Sequence, residues 1–125
     1  MKFAELYKSG STAISFELFP PRTEKTLAEL EERLPRLIAL GPSLMTVTYG
    51  ALGSTQGRTL EITSKIKNKY GIECAHHLTC VGSSREEIGL ILDDIRKHNI
   101  ENIVALRGDP PRGEAEFTPP KDGYS

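Results

Sequence analysis

Polar side chains capable of chemistry recur about every thirty residues along this chain of 125 residues. Glu17, Thr48, His77 and the pair Arg107 and Asp109 are separated by intervals of 31, 29 and 30 residues. Each follows or ends a short apolar run, so a parallel sheet would bring all of them to one edge, where α/β proteins place their sites. Any βαβ protein has polar residues where strands become loops, but four at regular intervals favour a binding or catalytic site.

Glu17 interrupts the otherwise apolar segment 14–19. A carboxylate in such surroundings loses hydration, which favours its protonated form, so we expect Glu17 to act as a general acid near neutral pH. Strand alternation alone would place Ser15 and Glu17 on one face and Phe16 and Leu18 on the other. Alternation explains where the carboxylate lies but gives it no role.

The cluster Arg107, Gly108 and Asp109 follows the last apolar run. A guanidinium can bind a phosphate or a ring carbonyl, glycine lets a ligand approach the backbone, and a carboxylate accepts hydrogen bonds from a heterocycle. A surface ion pair between the arginine and the aspartate is the alternative. Thr48 and the next residue, Tyr49, are followed by Ala51, whose small side chain would let a flat ligand approach the backbone.

His76 and His77, with Cys74 and Cys80 nearby, raise the question of a metal site. Neighbouring strand residues point to opposite faces, and the spacing of the four residues matches no standard zinc pattern. We therefore expect no metal, with one histidine lining the site and the other packing on the opposite face.

Four short apolar runs alternate with three segments of helical spacing. Such alternation predicts right-handed βαβ units on a parallel sheet, which is an α/β fold. Capping boxes at Thr26 with Glu29 and at Ser84 with Glu87 predict the starts of the first and third helices. The runs are residues 13–19, 44–48, 72–79 and 102–107, and the helical segments are residues 26–40, residues 59–70 and a third beginning at Ser84.

The last strand and the residues after it carry further signals. Residues 103–106 are apolar at every position, which predicts that both faces of this strand are covered. Residues 110–125 contain four prolines and two glycines without apolar periodicity, which predicts a loop-like tail. Pro35 predicts a kink in the first helix, and Asn99 predicts a left-handed cap after the third.

The composition narrows the class of protein. Sixteen Lys and Arg residues against 17 Asp and Glu residues give a net charge of −1, which argues against a nucleic-acid or anionic-membrane partner. The longest apolar stretch, residues 88–92, is too short for a membrane span or a signal peptide. We expect a cytoplasmic protein that keeps its two cysteines reduced.

Four segments, in order, resemble the methylenetetrahydrofolate reductases. They are SFELFPPR at 15–22, VTYGA at 47–51, HLTC at 77–80 and ALRGDPP at 105–111. The resemblance implies a TIM-type (β/α)8 barrel with FAD at the carboxyl ends of its strands. This chain would supply about the first four βα units, so that residues 1–125 are a single partial domain. It further implies reduction of methylenetetrahydrofolate to methyltetrahydrofolate with NAD(P)H, in one-carbon metabolism and methionine synthesis.

The resemblance also implies roles for individual residues. Glu17 matches a general acid that helps to open the five-membered ring of the folate substrate. Asp109 matches a second catalytic carboxylate near the folate pterin, and Thr48 a position at the nicotinamide and flavin. Leu18 departs from the aromatic residue common at its position, and the second half of the family's barrel has no match in this sequence. The positions matching flavin contacts are Thr48, Tyr49, Ala51, His77, Arg107, Gly108 and Asp109.

Two other architectures fit the pattern. A non-catalytic half-barrel would leave its first and fourth strands as open edges, which invite self-association, and a homo-oligomer is our expectation for this chain. A small doubly wound domain of flavodoxin type would fit the length but would need a fifth strand, which residues 110–125 do not supply. By itself, the 125-residue chain is expected to be incomplete for catalysis.

Overall fold

The computed structural model describes residues 1–50, 56–110, 113 and 115–124. Strands and helices alternate along the chain, as the apolar pattern predicts, and each strand lies within two residues of its expected bounds at both ends. The elements are α1 (Phe3–Leu6), a 3-10 turn (Tyr7–Ser9), β1 (Ser15–Leu18), α2 (Glu24–Ala39), β2 (Leu44–Val47), α3 (Gln56–Ser64), a π-helical turn (Lys65–Lys69), β3 (Cys74–Thr79), α4 (Arg85–Lys97) and β4 (Asn102–Leu106).

The four strands form one parallel sheet in the order β1-β2-β3-β4. Every strand therefore pairs with the next one along the chain, and all four carboxyl ends lie at one edge. A doubly wound sheet reverses its strand order near the middle. The consecutive order rules out the flavodoxin-type alternative and confirms the α/β class with a parallel sheet.

One face of the sheet packs on the helices and forms the core. Val47 of β2, Leu34 of α2 and Ile66 of the π-helical turn are fully buried there. Burying such a side chain contributes about 1.5–3 kcal/mol, so this face supplies most of the stability of the sheet. Two clusters lie on it: Leu18, Leu34, Met45, Val47, Ile62, Ile66 and Cys74, then Leu78, Ile88, Ile91, Ile95 and Ile100.

The last strand is less covered than its sequence predicts. Ile103 is 39% exposed and Leu106 is 43% exposed, although they lie on opposite faces of β4. The prediction that both faces are covered is therefore wrong for the structure described. β4 is an edge strand, and among the described residues no helix or strand follows it. Apolar side chains show only that a strand is suited to burial on both faces. They do not show that this chain provides the helices or strands that would cover it.

The first long helix begins earlier than predicted. The Thr23 hydroxyl accepts from the Thr26 backbone N–H at 3.2 Å, and the Thr26 hydroxyl accepts from the Thr23 N–H at 3.2 Å. The predicted box of Thr26 with Glu29 is therefore wrong, because Thr23 already has the extended backbone of an N-cap and Thr26 is inside the helix. At α4 the predicted box is confirmed, with Ser84 and Glu87 bonded reciprocally at 2.7 and 3.2 Å.

The helix ends show further agreements and differences. Pro35 lies inside α2, which continues to Ala39. Asn99 has φ 61°, as expected of a left-handed cap.

Helix α1 was not predicted, because four residues carry no readable periodicity. It is held at the amino end of β4 by Asn102, whose Oδ1 accepts from the Phe3 N–H at 2.8 Å.

No helix in the described part of the chain combines the length and apolarity needed to cross a membrane.

The described residues of the tail, from residue 110 onward, form turns, bends and irregular backbone rather than a helix or strand. They nevertheless pack on the domain: the Asp122 carbonyl accepts from the Arg85 N–H at 2.9 Å, and the Arg85 guanidinium lies 5.1 Å from the centre of the Tyr124 ring.

The position of the cap at α2 is directly testable. Thr23→Ala removes the acceptor for an otherwise free helix N–H and should lower the free energy of unfolding by about 1 kcal/mol. Glu29→Ala, a surface change outside the observed box, should stay within about 0.5 kcal/mol. Urea unfolding followed by circular dichroism measures both. A larger loss for Glu29→Ala than for Thr23→Ala would contradict the observed cap.

Candidate active site

The side of the sheet that faces away from the helices carries an acidic and a basic side chain next to each other. Parallel pairing places Glu17 of β1 beside Thr46 of β2, and Thr46 beside Ala75 of β3. His77 lies two residues beyond Ala75 and so on the same face. Glu17 Oε2 lies 3.4 Å from His77 Nε2, and the Thr46 hydroxyl donates to the same carboxylate oxygen at 3.4 Å. Three strands therefore converge on one carboxylate.

Glu17 is more hydrated than its sequence context predicts. Its side chain is 52% exposed, whereas its neighbour Leu18 is in the core. The expected loss of hydration is therefore absent, because the apolar neighbours of Glu17 in the sequence point to the other face of β1. Only something that covers the open face could desolvate this carboxylate.

His77 combines burial with a charged neighbour. Burial lowers the pKa of His77, and the charge of Glu17 opposes that shift. The 3.4 Å approach to Glu17 lacks hydrogen-bond geometry, so Nε2 is buried without a hydrogen-bond partner among the described residues. A buried ring nitrogen without a partner is suited to binding a polar atom of a ligand.

A cleft of about 310 Å³ lies at the carboxyl ends of β3 and β4. Gly108 forms part of its wall with φ 92°, and a Cβ there would lie 2.6 Å from Val81 Cγ1. Any other residue would therefore clash as well as adopt an unfavourable backbone. The residues lining the cleft are Tyr49, Thr79, Val81, Leu106, Arg107, Gly108 and Asp109.

Arg107 and Asp109 are both exposed at the mouth of this cleft. The Arg107 guanidinium lies 5.0 Å from the centre of the Phe117 ring, a cation–π contact with the tail. The structure thus places Arg107 against an aromatic ring and not in the ion pair with Asp109 considered from the sequence. Both charged groups are available to a ligand.

The residues after β2 approach the cleft from the neighbouring strand. The Thr48 N–H donates to the Leu18 carbonyl at 2.9 Å, and the Thr48 carbonyl accepts from the Thr59 hydroxyl at 2.9 Å, which fixes the backbone before Tyr49. Burial raises the pKa of Tyr49, so its hydroxyl stays protonated. Ala51, a predicted flavin contact, lies outside the described residues.

Thr79 is a site residue that sequence reasoning missed. It is only 7% exposed, lines the cleft, and carries a hydroxyl without a hydrogen-bond partner among the described residues. The available signal was its position: Thr79 ends β3 two residues after His77 and therefore shares its face. Threonine is also common in strands for steric reasons, so the residue type alone gives no warning.

His76 lies on the opposite face from His77, as alternation predicts. It is fully buried, its ring centre lies 5.7 Å from that of Tyr49, and neither ring nitrogen has a hydrogen-bond partner among the described residues. Burial lowers the pKa of His76 to about 4. Burial likewise raises the pKa of the neighbouring Cys74 thiol to about 12. In the described residues no group of three or more His, Cys, Asp or Glu side chains is arranged to hold a metal ion.

A larger groove, of about 670 Å³, lies between α3 and α4. Its lining includes Gly57, Asn68 and His98 but none of the polar residues that recur at the strand ends. It also lies among helices rather than at the carboxyl ends of the strands, where α/β proteins bind their ligands. Size alone is therefore a poor guide here, and the smaller cleft is the better candidate.

A parallel sheet whose carboxyl edge carries an acid, a cation and a glycine-walled cleft defines an α/β protein with a candidate site at that edge. A family model described as methylenetetrahydrofolate reductase matches residues 2–125. The chain therefore belongs to the methylenetetrahydrofolate reductase family.

Individual relatives agree with this membership. The chain is 43% identical over 124 residues to methylenetetrahydrofolate reductase (NADH) 1 of Arabidopsis thaliana, a match that covers 99% of this chain and 21% of the plant protein. It is 41% identical over 107 residues to 5,10-methylenetetrahydrofolate reductase of Escherichia coli, covering 86% of this chain and 36% of that protein. The chain thus spans about a fifth to a third of the length of these relatives.

The buried His76 should make the fold sensitive to acid. Its pKa is about 4 when folded, against a model-peptide value of 6.5, so the unfolded chain binds a proton more readily. The associated stability is fully present above pH 6.5 and is lost as the pH falls toward 4, by up to about 3 kcal/mol. His77, whose pKa is also lowered, adds to the same trend.

Urea unfolding at several pH values between 7 and 4.5 measures this loss. His76→Phe should lose less stability over that range than the unmodified chain. His98→Gln, at the end of α4 and outside the core, is the matched control and should retain the full loss. The same acid sensitivity in His76→Phe as in the unmodified chain would show that His76 is not its source.

Proposed function

We propose that this chain contributes the first four βα units of a TIM-type (β/α)8 barrel that reduces methylenetetrahydrofolate to methyltetrahydrofolate with FAD and NAD(P)H. Residues 1–125 then form a single partial domain, with residues 110–125 as its loop-like tail. The observation that carries the proposal is the gathering of Glu17, His77 and the cluster at 107–109 along one edge of the sheet, in a chain that belongs to this family.

Consecutive parallel strands support the barrel. In such a barrel each strand pairs with the next, helices cover the outside, and the opposite face points inward. Here the helix-covered face holds the apolar clusters and the other face holds Glu17, Thr46 and His77. The exposed Ile103 and Leu106 of β4 suit further strands and helices beyond this edge.

The cleft has features that fit a flavin. Gly108 brings bare backbone to its wall, and two buried polar atoms nearby, the Thr79 hydroxyl and His77 Nε2, have no hydrogen-bond partner among the described residues. A flat heteroaromatic ring with polar edges can enter the cleft and supply partners for such atoms. The residues that would hold FAD are Thr48, Tyr49, Ala51, His77, Arg107, Gly108 and Asp109.

Bound FAD would carry hydride from NAD(P)H to the folate, and the chain's own residues would orient the reactants and supply charge and protons. Arg107 offers a cation to a phosphate or a ring carbonyl. Asp109 offers carboxyl oxygens that can accept hydrogen bonds from the flavin and from the folate pterin. The plant relatives are named for NADH, which favours NADH as the donor.

Glu17 would donate a proton as the five-membered ring of the folate opens. The Thr46 hydroxyl donates to the Glu17 carboxyl group on the open face, and His77 Nε2 lies beside it, each 3.4 Å from Oε2. A ligand that covers this face would remove water from the carboxylate and favour its protonated form, which is the state a general acid needs. The exposed state in the structure is therefore compatible with acid catalysis only when substrate is bound.

The open β4 also favours a second arrangement, in which two copies of the chain associate. Its exposed Ile103 and Leu106 would be buried by such pairing, and an edge strand offers free backbone groups to a partner. In this alternative the half-barrel is a self-assembling or ligand-binding module without catalysis. Under the main proposal, the 125-residue chain alone should bind flavin weakly and show little activity, because the resemblance places other flavin contacts in the unmatched half of the barrel.

Glu17→Gln tests the proposed acid. In the full-length reductase that carries this segment, the amide should slow folate reduction by about 10² to 10⁴-fold, because it cannot donate the proton. Oxidation of NAD(P)H by an artificial acceptor should be nearly unchanged, since that half-reaction needs no folate. Glu32→Gln, an exposed acid of α2, is the matched control. Equal loss of both activities in Glu17→Gln would make Glu17 a structural residue.

A further inference from the structure

We propose that Thr79 is an additional flavin-binding residue, whose side-chain hydroxyl forms a hydrogen bond with a polar edge of the flavin in the cleft at the ends of β3 and β4. Thr79 lies in the HLTC segment at 77–80 that carries the family resemblance, but it is not among the positions that match flavin contacts. This inference rests on the proposed function, since it names a further contact for the same cofactor.

The first observation is the condition of the hydroxyl group. Thr79 is 93% buried, and its Oγ1 is inaccessible to water and without a hydrogen-bond partner among the described residues. Leaving such a group unpaired is unfavourable for a folded protein, and each instance calls for an explanation. A ligand in the cleft, toward which the hydroxyl turns by rotation about χ1, provides one.

The other buried threonines show that this condition is unusual within the chain. The Thr59 hydroxyl donates to the Thr48 carbonyl at 2.9 Å, and the Thr63 hydroxyl donates to the Thr59 carbonyl at 2.6 Å. Both lie in α3, and both are fully buried. Both of these hydroxyls on the helix side therefore have hydrogen-bond partners. The Thr79 hydroxyl, at the carboxyl edge of the sheet, has none among the described residues.

The second observation is the position of the residue. Thr79 lines the cleft together with Arg107 and Asp109, and its Cβ would lie 3.3 Å from a Cβ placed on Gly108. Thr79 and Val81 therefore pack against the Gly108 backbone in the wall of the cleft. On β3, Thr79 shares a face with His77, two residues earlier, whose Nε2 also lacks a hydrogen-bond partner among the residues that the structure describes.

The chemistry of threonine adds something that the two charged residues in the cleft lack. An arginine can only donate hydrogen bonds and an ionised aspartate can only accept them, whereas a hydroxyl does both. The polar edge of a flavin alternates carbonyl acceptors with an N–H donor. A hydroxyl in the same cleft as Arg107 and Asp109 can therefore match either kind of atom at this edge.

Thr79→Val tests the assignment without any measurement of enzyme activity. The variant keeps the branched shape and removes the hydroxyl. If the group is unpaired in the free chain, its removal should shift the urea midpoint of the 125-residue chain to higher concentration. Thr63→Val, which removes a buried hydroxyl that does have a partner, is the matched control and should shift the midpoint to lower concentration.

Flavin binding supplies the second readout. Titration of ¹⁵N-labelled chain with FAD, followed by NMR, can measure even weak binding. Thr79→Val should raise the dissociation constant for FAD about five- to tenfold, the effect of one lost hydrogen bond. Thr79→Ser keeps the hydroxyl and should bind FAD nearly as tightly as the unmodified chain, and Thr63→Val should be unchanged.

The outcomes separate this inference from the proposed function. Equal FAD affinity for Thr79→Val and the unmodified chain overturns the Thr79 assignment and leaves the flavin site standing. A lower urea midpoint for Thr79→Val also overturns it, because the hydroxyl would then have a structural partner in the free chain. Absence of FAD binding by the unmodified chain contradicts the flavin site itself, and the Thr79 assignment fails with it.

Discussion

The register of the parallel sheet is the constraint on which the rest of this structure depends. Side chains alternate between faces, so a slip of one residue in any strand would move its buried side chains to the open face and its polar ones into the core. The apolar cluster that includes Leu18, Val47 and Ile66 opposes such a slip, because each of these side chains contributes about 1.5–3 kcal/mol by burial. The same packing therefore places Glu17 beside Thr46 and within 3.4 Å of His77.

The two faces of the sheet consequently provide different environments, and the two histidines of β3 show this most clearly. His76 lies under the helices, and burial there lowers its pKa to about 4, so it contributes to the core as a neutral ring. His77 lies on the open face, where the charge of Glu17 opposes the effect of burial on its pKa. The open face also holds buried polar atoms that have no hydrogen-bond partner in the described part of the chain, and such atoms weaken a fold unless something binds them. The apolar clusters that stabilise the fold thus lie on the helix side, and the polar groups proposed to bind a ligand lie on the other.

Sequence reasoning recovered the strands, their parallel order and the edge that gathers the polar residues, because apolar periodicity and the thirty-residue spacing are strong signals. It placed the cap of α2 at Thr26 instead of Thr23, since both residues begin credible capping patterns and only backbone geometry separates them. It expected Glu17 to lose its hydration, because the apolar residues next to it in the sequence were assumed to surround its side chain. It did not single out Thr79 for a similar reason. Only the folded structure shows that the Thr79 hydroxyl has no hydrogen-bond partner among the described residues.

The central claim is that the carboxyl edge of the sheet, rather than the larger groove between α3 and α4, binds a flavin. The most direct measurement is the map of backbone amide shifts when ¹⁵N-labelled chain is titrated with FAD. Changes concentrated at His77 and at residues 106–109, with little change at Gly57, Asn68 and His98, are the predicted result. Changes concentrated at the groove residues, or the absence of any change at the carboxyl edge, would contradict the claim.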